Sequence, residues 1–560
     1  MSEADLEPDT GQLMAHMRVF SQRIKLSGTA QERESFGYLQ ATMESHGYRT
    51  RCIEHDAYIS LPGKARVVVD GTELRCITHS MSLSAPETGI SAALAYVGEG
   101  SPTDFARVEA GGKIALIDGI ATEETALLAS RAGAVGQIHI SPNQHLYEMC
   151  VSPVWGSPSQ HTRPSLPSTV ICSVPQEEGA ALRRRCAAGE TIDVSLWAQV
   201  DTGWRKTPLL VAELEPRTSG EDDSFVLFSG HHDTWHYGVM DNGGANATML
   251  EAARLLALQR KAWRRGLRIC FWSGHSHGRY SGSAWYADEY WDELERRCAV
   301  HVNVDSTGGE GASVLTNSGV VDELKALAFA AVETVSGQKH AGRRHGRAAD
   351  QSFWGIGIPS IFGSLSHQPP GPVKMLTALG WWWHTPHDTI EHIDPQNLAR
   401  DTKIVLQVLQ HLLTARILPY DYTAYAEALV PQLAQLKRDL GDRLDIDGLD
   451  AAAKTLHANA ARLLVRSRTA TDAEAPRINA ALMRASRLLV PLNYTSGERF
   501  HHDCALPQPA WPSLDGLRAL ASQPAASAEL PFYAVHARQT RNRFAYALRE
   551  ANAALEAALA

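Results

Sequence analysis

From Thr10 to Gly47 the apolar residues Leu13, Met17, Phe20 and Ile24, then Phe36, Leu39 and Met43, recur every three or four positions. That period places them on one stripe of a helix, so the spacing predicts two amphipathic helices at the start of the chain. Between Leu61 and about Trp204 the pattern changes to short apolar runs, VVVD, AALAYVG, KIALIDG, VGQIHIS and STVICSV, punctuated by Gly, Pro and Ser. These predict a mostly β insert with one Ala-rich helical piece at Glu124 to Gly133. After Pro208 strand-like and helix-like stretches alternate: Phe225 to Phe228 then Ala245 to Leu258, Leu267 to Trp272 then Ser283 to Leu294, Val300 to Val304 then Asp322 to Val335, Ile358 to Phe362 then Pro395 to Leu418. This alternation predicts an α/β fold, a largely parallel sheet sandwiched by helices, with ligand sites where strands end. Beyond Tyr420 the spacing of Leu429, Leu433, Leu436 and Leu440, and later of Leu456, Ala460 and Leu463, predicts a helical bundle broken by a loop from Pro491 to Pro512.

A chain of 560 residues is too long for one ordinary core and implies two or three domains. The formal charge of −9, from 53 basic and 62 acidic residues, is spread along the chain and leaves no footprint for nucleic acid. The eight cysteines form no CxxC pair and no dense framework, which reads as buried thiols. The first residues, MSEADLEPDTGQLMAHMRVF, lack the basic start and apolar stretch of a signal peptide, and no apolar run is long enough to span a bilayer. A cytoplasmic location without membrane contact is the expectation.

The chemistry concentrates at strand ends. FVLFSGHHDTWHYGVMDNGGANATML carries His231, Asp233 and Asp241; HVNVDSTGG carries Asp305; WWWHTPHDTIEHID carries His384. Imidazole and carboxylate suit divalent ions of intermediate hardness, and one Asp can bridge two ions because each oxygen can hold one. Asp241 is the candidate bridge, His231 and Asp305 would serve one ion, and His384 the other. Asp233 would reach the His231 ring from behind and fix its tautomer. Any one of these residues alone would pass for a helix cap or turn residue; four motifs, HxD after a strand, DNGGAN before a helix, VNVD at a strand end and HTPxDT before a last helix, in one order along one α/β pattern do not.

The set resembles family 28 metallopeptidases, the zinc aminopeptidase, glutamate carboxypeptidase and transferrin receptor-like group. The resemblance implies an aminopeptidase-like catalytic domain from 1–60 plus 205–420, a protease-associated-like insert at 61–204, and a helical dimerisation-like domain at 421–560 that would form a homodimer. It also implies one or two divalent ions, zinc first, with manganese, cobalt or iron open. In that family one ion sits on the positions of His231 and Asp305, the other on that of His384 and a glutamate, with Asp241 as bridge and Asp233 as supporting acid.

The chain departs from this pattern where the family carries two adjacent glutamates, a general base followed by a ligand. The corresponding segment is FWSGHSHGRYSGS. Aligned without a gap, Ser276 falls at the base and His277 at the ligand; shifted by one, His275 and Ser276 do. Imidazole can replace a carboxylate ligand and a neutral hydroxyl cannot, so His277 is the expected ligand. His275, with an ordinary pKa of about 6.5, is then the expected general base, and Ser276 a hydrogen-bonding companion. Trp383 stands where an oxyanion-stabilising tyrosine is common, and Trp381, Trp382 and Trp383 form a candidate aromatic wall. Asp350 and Arg347, the latter with Arg343 and Arg344, are candidates to shape the pocket and bind a substrate carboxylate.

The expected function is hydrolysis of an amide or peptide-like bond in a small molecule or short peptide, with metal-bound water attacking the carbonyl. Two alternatives stay open: a catalytically inactive binding or scaffold protein on the peptidase fold, and a metal-dependent enzyme acting on a non-peptide bond.

Overall fold

A computed structural model describes residues 6–217 and 223–560. The strands Ser360–Ser364, Cys298–Asp305, Phe225–His231 and Gly266–Trp272 lie side by side in that order, all parallel. Every residue of the last three is buried, as a sheet covered on both faces requires. Successive side chains leave a strand on opposite sides, and along Phe225–His231 they do: Val226 and Phe228 join one apolar cluster, Phe225 and Leu227 another. On the first side pack the helices Thr10–Phe20, Ala245–Leu258 and Pro395–Thr414, and against the second lie Ser281–Glu289 and Trp291–Arg297.

The helix boundaries have local causes. Asp9 caps Thr10–Phe20 by accepting from Gly11 and Gln12, and Asp394 caps Pro395–Thr414, where proline at the first position loses nothing by lacking an N–H. Between the first two helices, the fully buried Lys25 donates to the carbonyls of Phe20, Arg23 and Tyr237 at 3.0–3.2 Å. This fastens the amino-terminal segment to the loop that follows His231.

The predicted boundaries near 60 and 205 fall inside two long antiparallel strands, Arg49–Val69 and Asp193–Leu214. One part of Asp193–Leu214 pairs with Gly266–Trp272, and its beginning pairs with Ile90–Gly98. The ribbon thus runs from the main sheet into the insert, with one register shift between Pro62 and Ala65. There Ile90–Gly98, Ile114–Asp118, Gly136–Ile140 and Val170–Val174 lie parallel over a separate apolar core. The insert holds more helix than its sequence pattern suggested: Glu123–Arg131 was expected, Pro102–Arg107 and Gln176–Ala187 were not. QEEGAALRRRCA buries only Gly179, Ala180 and Leu182, too little to print a helical period.

The tail is helical, with Tyr422–Leu440, Asp447–Thr469, Ala475–Tyr494, Asp515–Ser522 and Leu530–Leu559. The third of these continues past Pro491 to Tyr494, so the expected loop begins later. Arg487 on that helix is buried and donates to the carbonyls of Glu295, Gly357 and Cys298, locking the tail onto the main sheet and its flanking segments. Among the described residues no helix is long and apolar enough to cross a membrane.

Candidate metal centre

His231 ends its strand with the ring turned so that Nδ1 faces the Asp233 carbonyl at 2.8 Å and Nε2 faces Asp241 Oδ1 at 3.1 Å and Asp305 Oδ1 at 3.6 Å. His384 repeats the arrangement, with Nδ1 on the Glu148 carbonyl at 2.7 Å and Nε2 at 3.1 Å from Asp241 Oδ2. A carbonyl can only accept, so both rings carry their proton on Nδ1 when neutral, and two lone pairs converge on the two oxygens of one carboxylate. Lone pairs facing carboxylate oxygens repel one another unless a positive charge lies between them. His231 Nε2 and Asp241 Oδ1 are accordingly buried without a hydrogen-bond partner. Burial favours neutral His231, but Asp241 and Asp305 outweigh it and push the imidazole well above its ordinary range. Burial likewise opposes ionisation of Asp241, and the two histidines nonetheless hold it well below the usual carboxylate range. The residues fit one or two divalent cations.

The loop carrying Asp241 is held from several directions. Asp388, four residues after His384, accepts from Met240 N at 2.8 Å and Asp241 N at 3.1 Å. Burial, with the Asp241 charge beside it, raises Asp388 to about 7. The Asn242 side chain joins two strand ends, donating to the His231 carbonyl at 3.2 Å and accepting from Ser306 N at 2.9 Å. At Gly244 a Cβ would sit 2.2 Å from the Thr307 carbonyl oxygen, so DNGGAN admits the helix to this strand end only as glycine. His384 has φ of 58°, a conformation rare for residues other than glycine, with its ring stacked on Trp383 at 3.6 Å.

The HSH turn departs from its simplest reading. A ring nitrogen of His275 lies within 4.8 Å of donor atoms of both His231 and Asp305; His277, like Asp241 and His384, is outside that group. His275 stacks on His231 at 3.6 Å and 11°, and its Nδ1 bonds to Asp350 Oδ2 at 2.7 Å. His277 is fully buried, with Nδ1 2.9 Å from Ser27 Oγ and 3.8 Å from Asp233 Oδ2, while its Nε2 has no hydrogen-bond partner. Ser276 contributes its backbone N–H to Asp233 at 2.9 Å, and its hydroxyl meets no partner.

Asp233 was expected to hold the His231 ring with its carboxylate. The backbone carbonyl does that instead, and the carboxylate pins the turn through His275 N, Ser276 N and Ser27 Oγ. Burial works against its charge, yet His277, His231 and His275 keep its carboxyl below the usual range.

Of the pocket candidates, Asp350 joins the site through His275. Trp383, 6% exposed, backs the His384 ring rather than forming an open wall; Trp381, 40% exposed, packs against His145 and His387. Arg347 is turned away from the role of carboxylate binder: it donates to the Cys504 and Asp503 carbonyls and lies over the Trp155 ring at 4.2 Å. The sequence pattern missed Glu148, Asp388 and Ser27 as supports. Beside His384 opens a cavity of about 260 Å³ lined by residues including Arg75, Ile77, His145, Glu148, His236 and His387.

Residues 210–409 match Peptidase family M28. It is 26% identical over 260 residues to a probable glutamate carboxypeptidase, AMP1, of Arabidopsis thaliana, covering 42% of this chain and 35% of that protein. It is 25% identical over 398 residues to aminopeptidase YwaD of Bacillus subtilis, covering 68% of this chain and 79% of that one. The matched stretch thus spans about a third of the plant relative's length. In fold, the chain is similar to the aminopeptidase from Aneurinibacillus sp. strain AM-1, with a TM-score of 0.56 and 21% identity over 74% of this chain and 96% of that one. It is similar as well to BSAP, a zinc aminopeptidase from Bacillus subtilis, with a TM-score of 0.56 and 22% identity over 73% and 96%.

Proposed function

We propose that this protein is a metal-dependent hydrolase of an amide or peptide-like bond in a small molecule or short peptide. The observation that carries the reading is the convergence of His231 Nε2 and His384 Nε2 on the two oxygens of Asp241, each ring fixed from behind by a carbonyl. His231, Asp241, Asp305 and His384 would hold the cation, zinc by likeness to BSAP. A divalent ion there supplies Lewis acidity, polarising the substrate carbonyl and acidifying a water.

The remaining work belongs to the chain. His275 has Nδ1 committed to Asp350, which leaves Nε2 to take a proton. Its side chain is 15% exposed, against 2% for His231, so it stands at the open edge of the centre. It receives the proton of the attacking water as the new C–O bond forms, and passes it to the leaving nitrogen as the C–N bond breaks. One water is consumed, and one carboxylic acid and one amine are released. Asp233 keeps the His275–Ser276 turn in place.

Zinc-reconstituted protein assayed against aminoacyl, N-acyl and γ-glutamyl amides tests this. Turnover is expected on part of the panel, lost in the His231→Ala, Asp241→Ala double variant. Equal rates for the two proteins, or none from the wild type, would sink it.

A further inference from the structure

His275 is held on three sides. Its Nδ1 meets Asp350 Oδ2 at 2.7 Å, one face stacks on His231, and the Tyr280 ring meets it edge-on at 4.8 Å. Asp350 is itself 1% exposed, and its other oxygen accepts from Ser283 Oγ at 2.8 Å. Ser283 in turn contacts Ser352 Oγ at 2.9 Å, which accepts from Trp155 Nε1 of the insert at 2.9 Å. Trp155 is clamped between Tyr280 and the Arg347 guanidinium.

The backbone around Asp350 is unusual as well. Ala349 and Asp350 have φ of 54° and 57°, a consecutive pair in the left-handed region, and the Ala349 carbonyl is tied by Asn303 Nδ2 at 2.8 Å to the strand that ends in Asp305. Such conformations persist only where surrounding contacts hold them, and here the contacts deliver one carboxylate to one imidazole.

We propose that Asp350 is the positioning residue for His275: it fixes the Nδ1–H tautomer and aims Nε2 into the metal centre. This rests on the hydrolase reading for its catalytic consequence, though the tautomer itself does not. Because the Ser283 hydroxyl donates to Oδ1, an asparagine at 350 would keep its oxygen there and turn its NH₂ toward His275. The amide would then donate to Nδ1 and drive the proton to Nε2. Asp350→Asn is therefore a near-isosteric change with a specific chemical result.

Long-range ¹H–¹⁵N correlation spectra of histidine-labelled protein read the tautomer directly, with His275→Gln identifying the resonances. The wild type should show His275 as Nδ1–H, Asp350→Asn as Nε2–H, and Asp350→Ala a mixture. In the zinc-loaded enzyme, kcat of Asp350→Asn should fall by about 10²–10⁴-fold, the span of one general acid–base group, with KM and bound zinc little changed. An unchanged tautomer in both variants, or an undiminished kcat, overturns the proposal. If Asp350→Ala fails to fold, the asparagine variant still decides. A wild type without turnover would remove the hydrolase reading while the spectra still test the positioning.

Discussion

Asp388 shows how much a single carboxylate can set. Its two oxygens take the N–H groups of Met240 and Asp241 separately, so the direction of the Asp241 side chain follows from a residue 147 positions away. Asparagine offers one acceptor and would face the second N–H with a donor. We expect Asp388→Asn to weaken zinc binding by about 10–100-fold, the usual effect of losing a support behind a ligand, measured by competition with a chromophoric chelator. Unchanged affinity would show that the loop is held without it.

The same residues explain what was legible. His231, Asp241, Asp305 and His384 could be read because each sits at the end of an apolar run or the start of a helix, a local signal. Ser27, the Glu148 carbonyl and Asp388 act across separations of 206, 236 and 147 residues, where only folding reveals the partner. Asp388 did have a hint, since it lies in the quoted HTPHDT stretch. At the HSH turn, register alone could not say which imidazole faces the cluster. The Asp350–His275 bond draws His275 there.

At the scale of elements, the order of strands and helices after Pro208 was read because fully buried parallel strands are continuous apolar runs, although Ser283 to Leu294 proved to be two helices, Ser281–Glu289 and Trp291–Arg297, and the helix expected to reach Leu418 ends at Thr414. The insert was harder. Gln176–Ala187 presents mostly charge, and the Arg49–Val69 and Asp193–Leu214 strands continue across the expected boundary, shifting register only between Pro62 and Ala65.

One short element carries a pH prediction. Glu323 lies in the turn Asp322–Leu324 that opens the helix Lys325–Ser336, and its carbonyl accepts from Asp421 N where the tail begins. Its carboxyl is buried without a hydrogen-bond partner, and burial raises it to about 8 from 4.5. The folded state therefore keeps a proton that the unfolded chain releases above pH 4.5. Stability must fall as pH rises through that window, by up to about 1.4 kcal/mol per unit for one proton. Glu323→Gln should remove this slope, so its melting temperature should gain on the wild type steadily between pH 5 and 8. Parallel melting curves would contradict the assignment.

For the whole molecule, the arrangement joins four regions at one point. The amino-terminal segment supplies Ser27, the insert supplies the Glu148 carbonyl and Trp155, the tail accepts Arg347, and the central region supplies the ligands, His231 and Asp305 from strand ends and Asp241 and His384 from loops. A scaffold would have no physical need for two imidazole lone pairs turned onto one carboxylate.

Anomalous scattering from zinc-loaded crystals tests that claim most directly. The account predicts a zinc peak about 2.0–2.2 Å from His231 Nε2 and from an oxygen of Asp241, with Asp305 in the same shell. Zinc found only elsewhere, or His231 and His384 turned toward separate pockets with nothing between them and Asp241, would contradict it.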